Sequence, residues 1–181
     1  ALLVLIFAFF SCTKREFLKE SGQVESFAEM VQAGQKPIAL GPPMSSVELD
    51  LFLPEVKRLA AKYEIEFYRE PALIVTGLFD SAAVGDMEVL ILYKGKSLAA
   101  YQMLKTEAND LAARGEYSGT KKEAISRAFG RLLGYPTSWI NDLLAENSEF
   151  RDLEDFEISG QELSFFYKNL PIAKAFYGET L

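Results

Sequence analysis

From residue 24 onward, apolar positions repeat first at helical spacing, then at every second residue, then at helical spacing again. Val24, Phe27, Met30 and Val31 share one face and stop at Gly34, predicting a short amphipathic helix over 24–33. Lys36-Pro37-Ile38-Ala39-Leu40, followed by Gly41-Pro42-Pro43, predicts a brief extended piece and a hard stop. Ser45 with Glu48 three residues on has the form of a capping box. Pro54 then interrupts. It suits the first turn of a helix over 55–63, where Val56, Leu59, Ala60 and Tyr63 line one face.

After Tyr63 the period shortens. Ile65, Phe67 and Arg69 alternate with Glu66 and Tyr68, and the runs 72–78 and 87–93 are rich in apolar and β-branched residues. Three strands in a row, joined through Glu70-Pro71 and 80–86, predict an antiparallel meander over about 65–94. The middle run (ALIVTGLF) is apolar on both faces, so it is expected at the centre of the sheet, covered by helices.

Helical spacing returns at Leu98, Tyr101, Leu104, Ala108 and Leu111, with Ser97 as the expected N-cap and Gly115 as the stop. Thr120 and Glu123 suggest a second capping box, opening a helix that runs through Leu133 and ends at Gly134. Trp139, Ile140, Leu143 and Leu144 predict another short helix, closed near Asn147. Residues 162–167 suit strand or helix equally, and 173–177 suggest a final turn. Helices and strands are grouped rather than alternating, so the expected class is α+β, one domain over 24–181.

Ahead of that domain, residues 1–10 read ALLVLIFAFF, followed by Ser11, the chain's only cysteine Cys12, and a charged stretch. An apolar run of about 7–15 residues ending at a small residue has the form of an export signal. The segment resembles the signal peptides of bacterial lipoproteins, whose lipobox ends in an acylated cysteine. Ser11 and Cys12 fit that pattern, while Phe9 and Phe10 depart from its small or aliphatic residues. The resemblance implies a cleaved 1–11 segment, a lipidated Cys12 with a polar tether over 12–23, and a position on the periplasmic or extracellular face of the cell envelope. Further apolar residues ahead of Ala1 would instead give an uncleaved anchor, and a buried N-terminal helix is the third reading. Diacylation suffices to hold a protein at a membrane, at about 0.8 kcal/mol per buried CH₂.

Composition narrows the chemistry. With 14 Phe and 8 Tyr in 181 residues, a core is affordable and disorder is not the expectation. Histidine is absent, which removes the usual general base, the common zinc ligand and every Ser-His or Cys-His nucleophile. The net charge of −7, without a basic tract, argues against nucleic acid as a partner. Residues 141–160 hold seven carboxylates against Arg151 alone. They lack the order and glycine of a calcium loop and read as a solvated acidic face, so neither a metal nor another cofactor is expected.

The best motif is Phe129-Gly130-Arg131-Leu132-Leu133-Gly134-Tyr135-Pro136. It resembles a signature of uncharacterised prokaryotic proteins, in which a helix runs into Leu-Gly-Tyr-Pro and then a cysteine pair. Thr137 and Ser138 stand where that pattern has cysteines, so no metal or redox role is carried over. The local chemistry predicts a left-handed Gly134, a Pro136 block and a cap at Thr137 or Ser138. A ligand contact would use Arg131, Tyr135 and Trp139. The rigid loop 37–46 (PIALGPPMSS) is a second candidate. Ser118-x-x-Lys121 matches a serine-enzyme pattern at chance frequency, without its companion motifs.

These features lead to an anchored binding or interaction module that contacts the membrane through its lipid, and an envelope protein or small ligand through its domain. The alternative is a carboxylate-dependent hydrolase or transferase drawing on Asp80, Asp86 and the acids of 142–157, which requires two partly buried carboxylates facing one cleft.

Overall fold

Val89-Leu90-Ile91-Leu92-Tyr93 is apolar at every position, and a strand of that kind is stable only when both of its faces are covered. The architecture follows from it. In the computed structural model, which describes residues 17–78 and 84–146, this strand lies at the centre of a three-stranded antiparallel sheet. The elements in chain order are α1 (Leu18–Gln32), β1 (Ile38–Leu40), α2 (Ser46–Tyr63), β2 (Glu66–Glu70), β3 (Val89–Tyr93), α3 (Ser97–Ala113), α4 (Gly119–Leu132) and α5 (Thr137–Glu146). Sheet order is β1-β3-β2, with Ile38 opposite Tyr93 and Glu66 opposite Tyr93 on the other side.

Strand alternation then divides the core into two layers. Leu90 and Leu92 pack with Ala39 and Phe67 against α1 and α2, through Val24, Ala28, Leu49, Phe52, Val56 and Leu59. Ile91 and Ile38 face the opposite way, into Tyr101, Ile125, Phe129 and Ile140 of α3, α4 and α5. Gly130 lets α5 approach α4, since a Cβ there would lie 2.8 Å from the Ile140 side chain. The α+β class and the antiparallel sheet are as expected.

Several local expectations need correction. The run 72–78 is not the central strand and has no regular structure. Its backbone groups bond to side chains instead of a ladder: Ala72 N–H to Glu70 (2.9 Å), Gly77 N–H to Ser126 Oγ (2.8 Å), and the Val75 carbonyl to the Tyr117 hydroxyl (2.5 Å). The third strand is the short piece at Ile38–Leu40. Pro54 sits inside α2 rather than opening a helix; it lies on the exposed face, where water can satisfy the carbonyl left by its missing N–H. The Ser45–Glu48 capping box starts that helix and is formed, with Glu48 N–H to Ser45 Oγ at 3.3 Å and Ser45 N–H to Glu48 Oε2 at 2.9 Å.

Residues 18–23, expected in the tether, are the first turns of α1, drawn in by the Phe17 ring on Phe52 (5.4 Å) and by Ser21 Oγ donating to Glu55 (2.7 Å). At α3 and α4 the caps fall one or two residues earlier than expected, on Lys96 and Ser118, and neither side chain makes a cap bond. Glu123, expected to close the second box, pairs instead with Arg127 one turn on. Thr137 and Ser138 likewise lie within α5, whose Ile140 N–H bonds the Pro136 carbonyl (3.1 Å). The expectations at 1–16 and 147–181 fall outside the described residues.

A buried acid closes the sheet end. Glu70 is 1% exposed and accepts from Tyr101 Oη (2.9 Å), Lys105 Nζ (2.5 Å) and Ala72 N–H. Burial, and then the Glu70 charge, push the Tyr101 phenol far above its ordinary range. Removing the acid strands a lysine and a buried hydroxyl. Glu70→Ala is therefore expected to cost about 3 kcal/mol in urea unfolding and Tyr101→Phe about half of that; losses under about 0.5 kcal/mol for both contradict this role.

Candidate functional site

The two helical layers meet at the β1 edge of the sheet, and the chain there is shaped by residues that cannot continue a ladder. Gly41 N–H bonds the Leu90 carbonyl (2.8 Å), and Met44 and Glu88 exchange backbone bonds at 3.0 and 2.8 Å. Between those pairs, Pro42 and Pro43 oppose Val89 alone, a bulge at the sheet edge whose prolines lack a donor to lose. Gly41 is needed for the approach, because a Cβ would come within 3.2 Å of Leu90 Cβ.

Facing this bulge is the end of α4. Gly134 N–H bonds the Arg131 carbonyl and Tyr135 N–H that of Gly130, both at 3.0 Å, with Gly134 at φ +76°. This is the left-handed helix ending expected from the sequence. It turns Tyr135 toward the sheet edge and leaves the Leu133 carbonyl without a helical partner. Lys36 Nζ supplies one, donating at 2.7 Å. The negative end of the helix favours a cation there.

A cavity of about 290 Å³ lies between these parts, at the small end of the roughly 300–1,000 Å³ typical of ligand sites. Phe27 and Gln23 of α1, Leu40 of β1, Pro42 and Pro43 of the bulge, Leu73, Val89 and Tyr135 line it, with Lys36 the one charged residue on it among the described residues. The ammonium stands 5.1 Å from the Tyr135 ring centroid and 5.8 Å from that of Phe27. Both contacts are in cation–π range. No carboxylate among the described residues lies within ion-pair distance of it. Burial pushes the amine down from its ordinary 10.5 to about 8.

The residues singled out by sequence are thus divided. Tyr135 and the 37–46 loop come together on one wall. Trp139 packs on Tyr135 (6.3 Å between centroids) without lining the cavity. Arg131 is exposed and belongs to a different feature, an open valley of about 980 Å³ between α3 and α4. That valley is larger, but its walls are mostly exposed side chains such as Gln102, Met103 and Glu107, and none of its described lining residues is a buried polar one. Ser118 and Lys121 are both exposed, and the Lys121 ammonium is held by Glu116 at 2.6 Å.

Of the acids considered for catalysis, Asp86 and Asp142 are exposed, while Cys12, Asp80 and the acids from 149 on lie outside the described residues. Glu70 is the buried carboxylate among the described residues, and Tyr101 and Lys105 already hold it. No set of three acids converges to hold a metal among those residues, and no helix there is long and apolar enough to cross a membrane.

Lys36 is the site residue that periodicity did not reveal. Its only signal is a charge placed between the helix stop Gly34 and the buried Ile38, where the backbone is drawn inward. No protein-family model, curated protein or solved structure matches the chain.

Because the unfolded chain holds the Lys36 proton up to its ordinary 10.5 and the folded chain only to about 8, the charged amine opposes folding below pH 8. That penalty fades as pH rises from about 8 to 10.5. In urea unfolding, wild type is expected to gain stability relative to Lys36→Met between about pH 7 and about pH 10. A difference that does not change with pH contradicts the assignment.

Proposed function

We propose that this protein is a binding module of the cell envelope, held at a membrane by lipid on Cys12, with the Lys36 cavity as its ligand site. The observation that carries the binding role is the cavity itself: apolar walls set on a rigid bulge and a fixed helix end, with one cation placed on them. Preformed pockets with few, fixed polar groups are the usual form of small-molecule sites. The leader pattern ending at Ser11-Cys12 supports the location. A carboxylate-based reaction draws no comparable support, since Asp86 and Asp142 are exposed and the buried Glu70 is already held by Tyr101 and Lys105.

Two measurements test the proposal. Cys12→Ser is expected to move the protein out of the membrane fraction in high salt and to abolish palmitate-analogue labelling; a mutant that stays membrane-bound contradicts the lipid anchor. For binding, Trp139 is the chain's single tryptophan and touches Tyr135, so it reports on the cavity. A panel of short-chain amphiphiles, anionic, neutral and cationic, is expected to include at least one that changes its fluorescence saturably, with the response lost in Tyr135→Ala. No saturable change with any member contradicts the ligand site.

A further inference from the structure

The ligand's chemistry is written in what the cavity leaves unmatched. An ammonium has three donors, and the Leu133 carbonyl takes one. The two aromatic rings screen it without accepting a conventional hydrogen bond, and no described acid neutralises it. Leaving a partly buried cation uncompensated is costly, and an anion is the group that offsets the cost.

The head group must be small and singly charged. Beside Lys36, the polar side chains on the wall are the Gln23 amide and the Tyr135 hydroxyl. Pro42 and Pro43 offer no N–H, and that of Gly41 is already bonded to Leu90. A phosphate or sulfate needs more donors than this, and bidentate phosphate recognition belongs to arginine. The rest of the wall, Phe27, Leu40, Leu73 and Val89, is apolar and suits a short hydrocarbon body.

We propose that the Lys36 cavity takes a small amphiphilic carboxylate, its head on the Lys36 ammonium and its apolar part along Phe27, Leu40, Leu73 and Val89. This inference rests on the reading of the cavity as a ligand site. A neutral apolar ligand would fill the same walls but leave the ammonium unmatched, so charge preference is the property that decides.

The test compares octanoate with octanol, titrated into the full chain in lipid nanodiscs, with empty nanodiscs as reference and Trp139 fluorescence as readout. Octanoate is expected to bind about tenfold or more tightly than octanol, the factor that one charge-assisted hydrogen bond supplies. Lys36→Met is expected to abolish the preference, with octanoate and octanol binding that variant alike. Should Lys36→Met unfold, Lys36→Gln, whose amide can still donate to the Leu133 carbonyl, takes its place. Equal binding of octanol and octanoate, or octanoate binding indifferent to Lys36, overturns the carboxylate assignment and leaves the ligand site standing. Saturable binding of neither, by a folded chain, overturns both.

Discussion

A strand with no polar position dictates this fold. Val89 to Leu92 are all buried, so β3 needs cover on both sides, and the three short strands of the sheet among the described residues cannot fold over to provide it. Helices supply the cover: α1 and α2 on one face, α3, α4 and α5 on the other. Once two layers of helices sandwich so narrow a sheet, they come close to one another at its edge. The cavity is a product of that closeness, bounded by α1 from one layer, the end of α4 from the other, and the bulge between them.

The same geometry explains why a lysine is caught there. The chain leaves α1 at Gly34 and must enter the sheet at Ile38, so Lys36 passes beneath the end of α4. A helix end presents bare carbonyls, and the Leu133 oxygen gives the ammonium a partner at 2.7 Å. One partner does not replace full hydration. Burial holds the amine near 8, a sign that its charge is tolerated more than stabilised. Glu70 offers the contrast: it is more deeply buried, but surrounded by three donors and placed to tie β2, the 71–78 segment and α3 together. One buried charge is matched by the fold, and the other is left for something else to match.

How much of this was legible in the residues depends on the range of the interactions concerned. Chemistry confined to a few residues was readable. The Ser45–Glu48 box, the left-handed Gly134 and the alternating 65–69 run each formed where expected, because their partners are neighbours in the chain. Pro54 misleads because a missing N–H suggests a helix break, whereas α2 runs through it with the proline on the exposed face, where water can reach the freed carbonyl. The 72–78 run misled because hydrophobic content reports burial, not ladder pairing. Ile74 and Leu78 are indeed buried, but Ser126 and Tyr117, more than 40 residues away, take the backbone groups that would have made a strand. The cavity was least legible of all. Tyr135 and the proline loop each stand out in the sequence on their own, and only the tertiary fold brings both beside Lys36.

The protonation of one amine is therefore where the whole account is most exposed. Following the Lys36 side chain by heteronuclear NMR through a pH titration, with and without octanoate, reads it directly. The account predicts a midpoint near 8 for the free protein, moving upward when the carboxylate settles against the ammonium. An amine that titrates like any surface lysine, and whose midpoint does not move when octanoate is added, would contradict it.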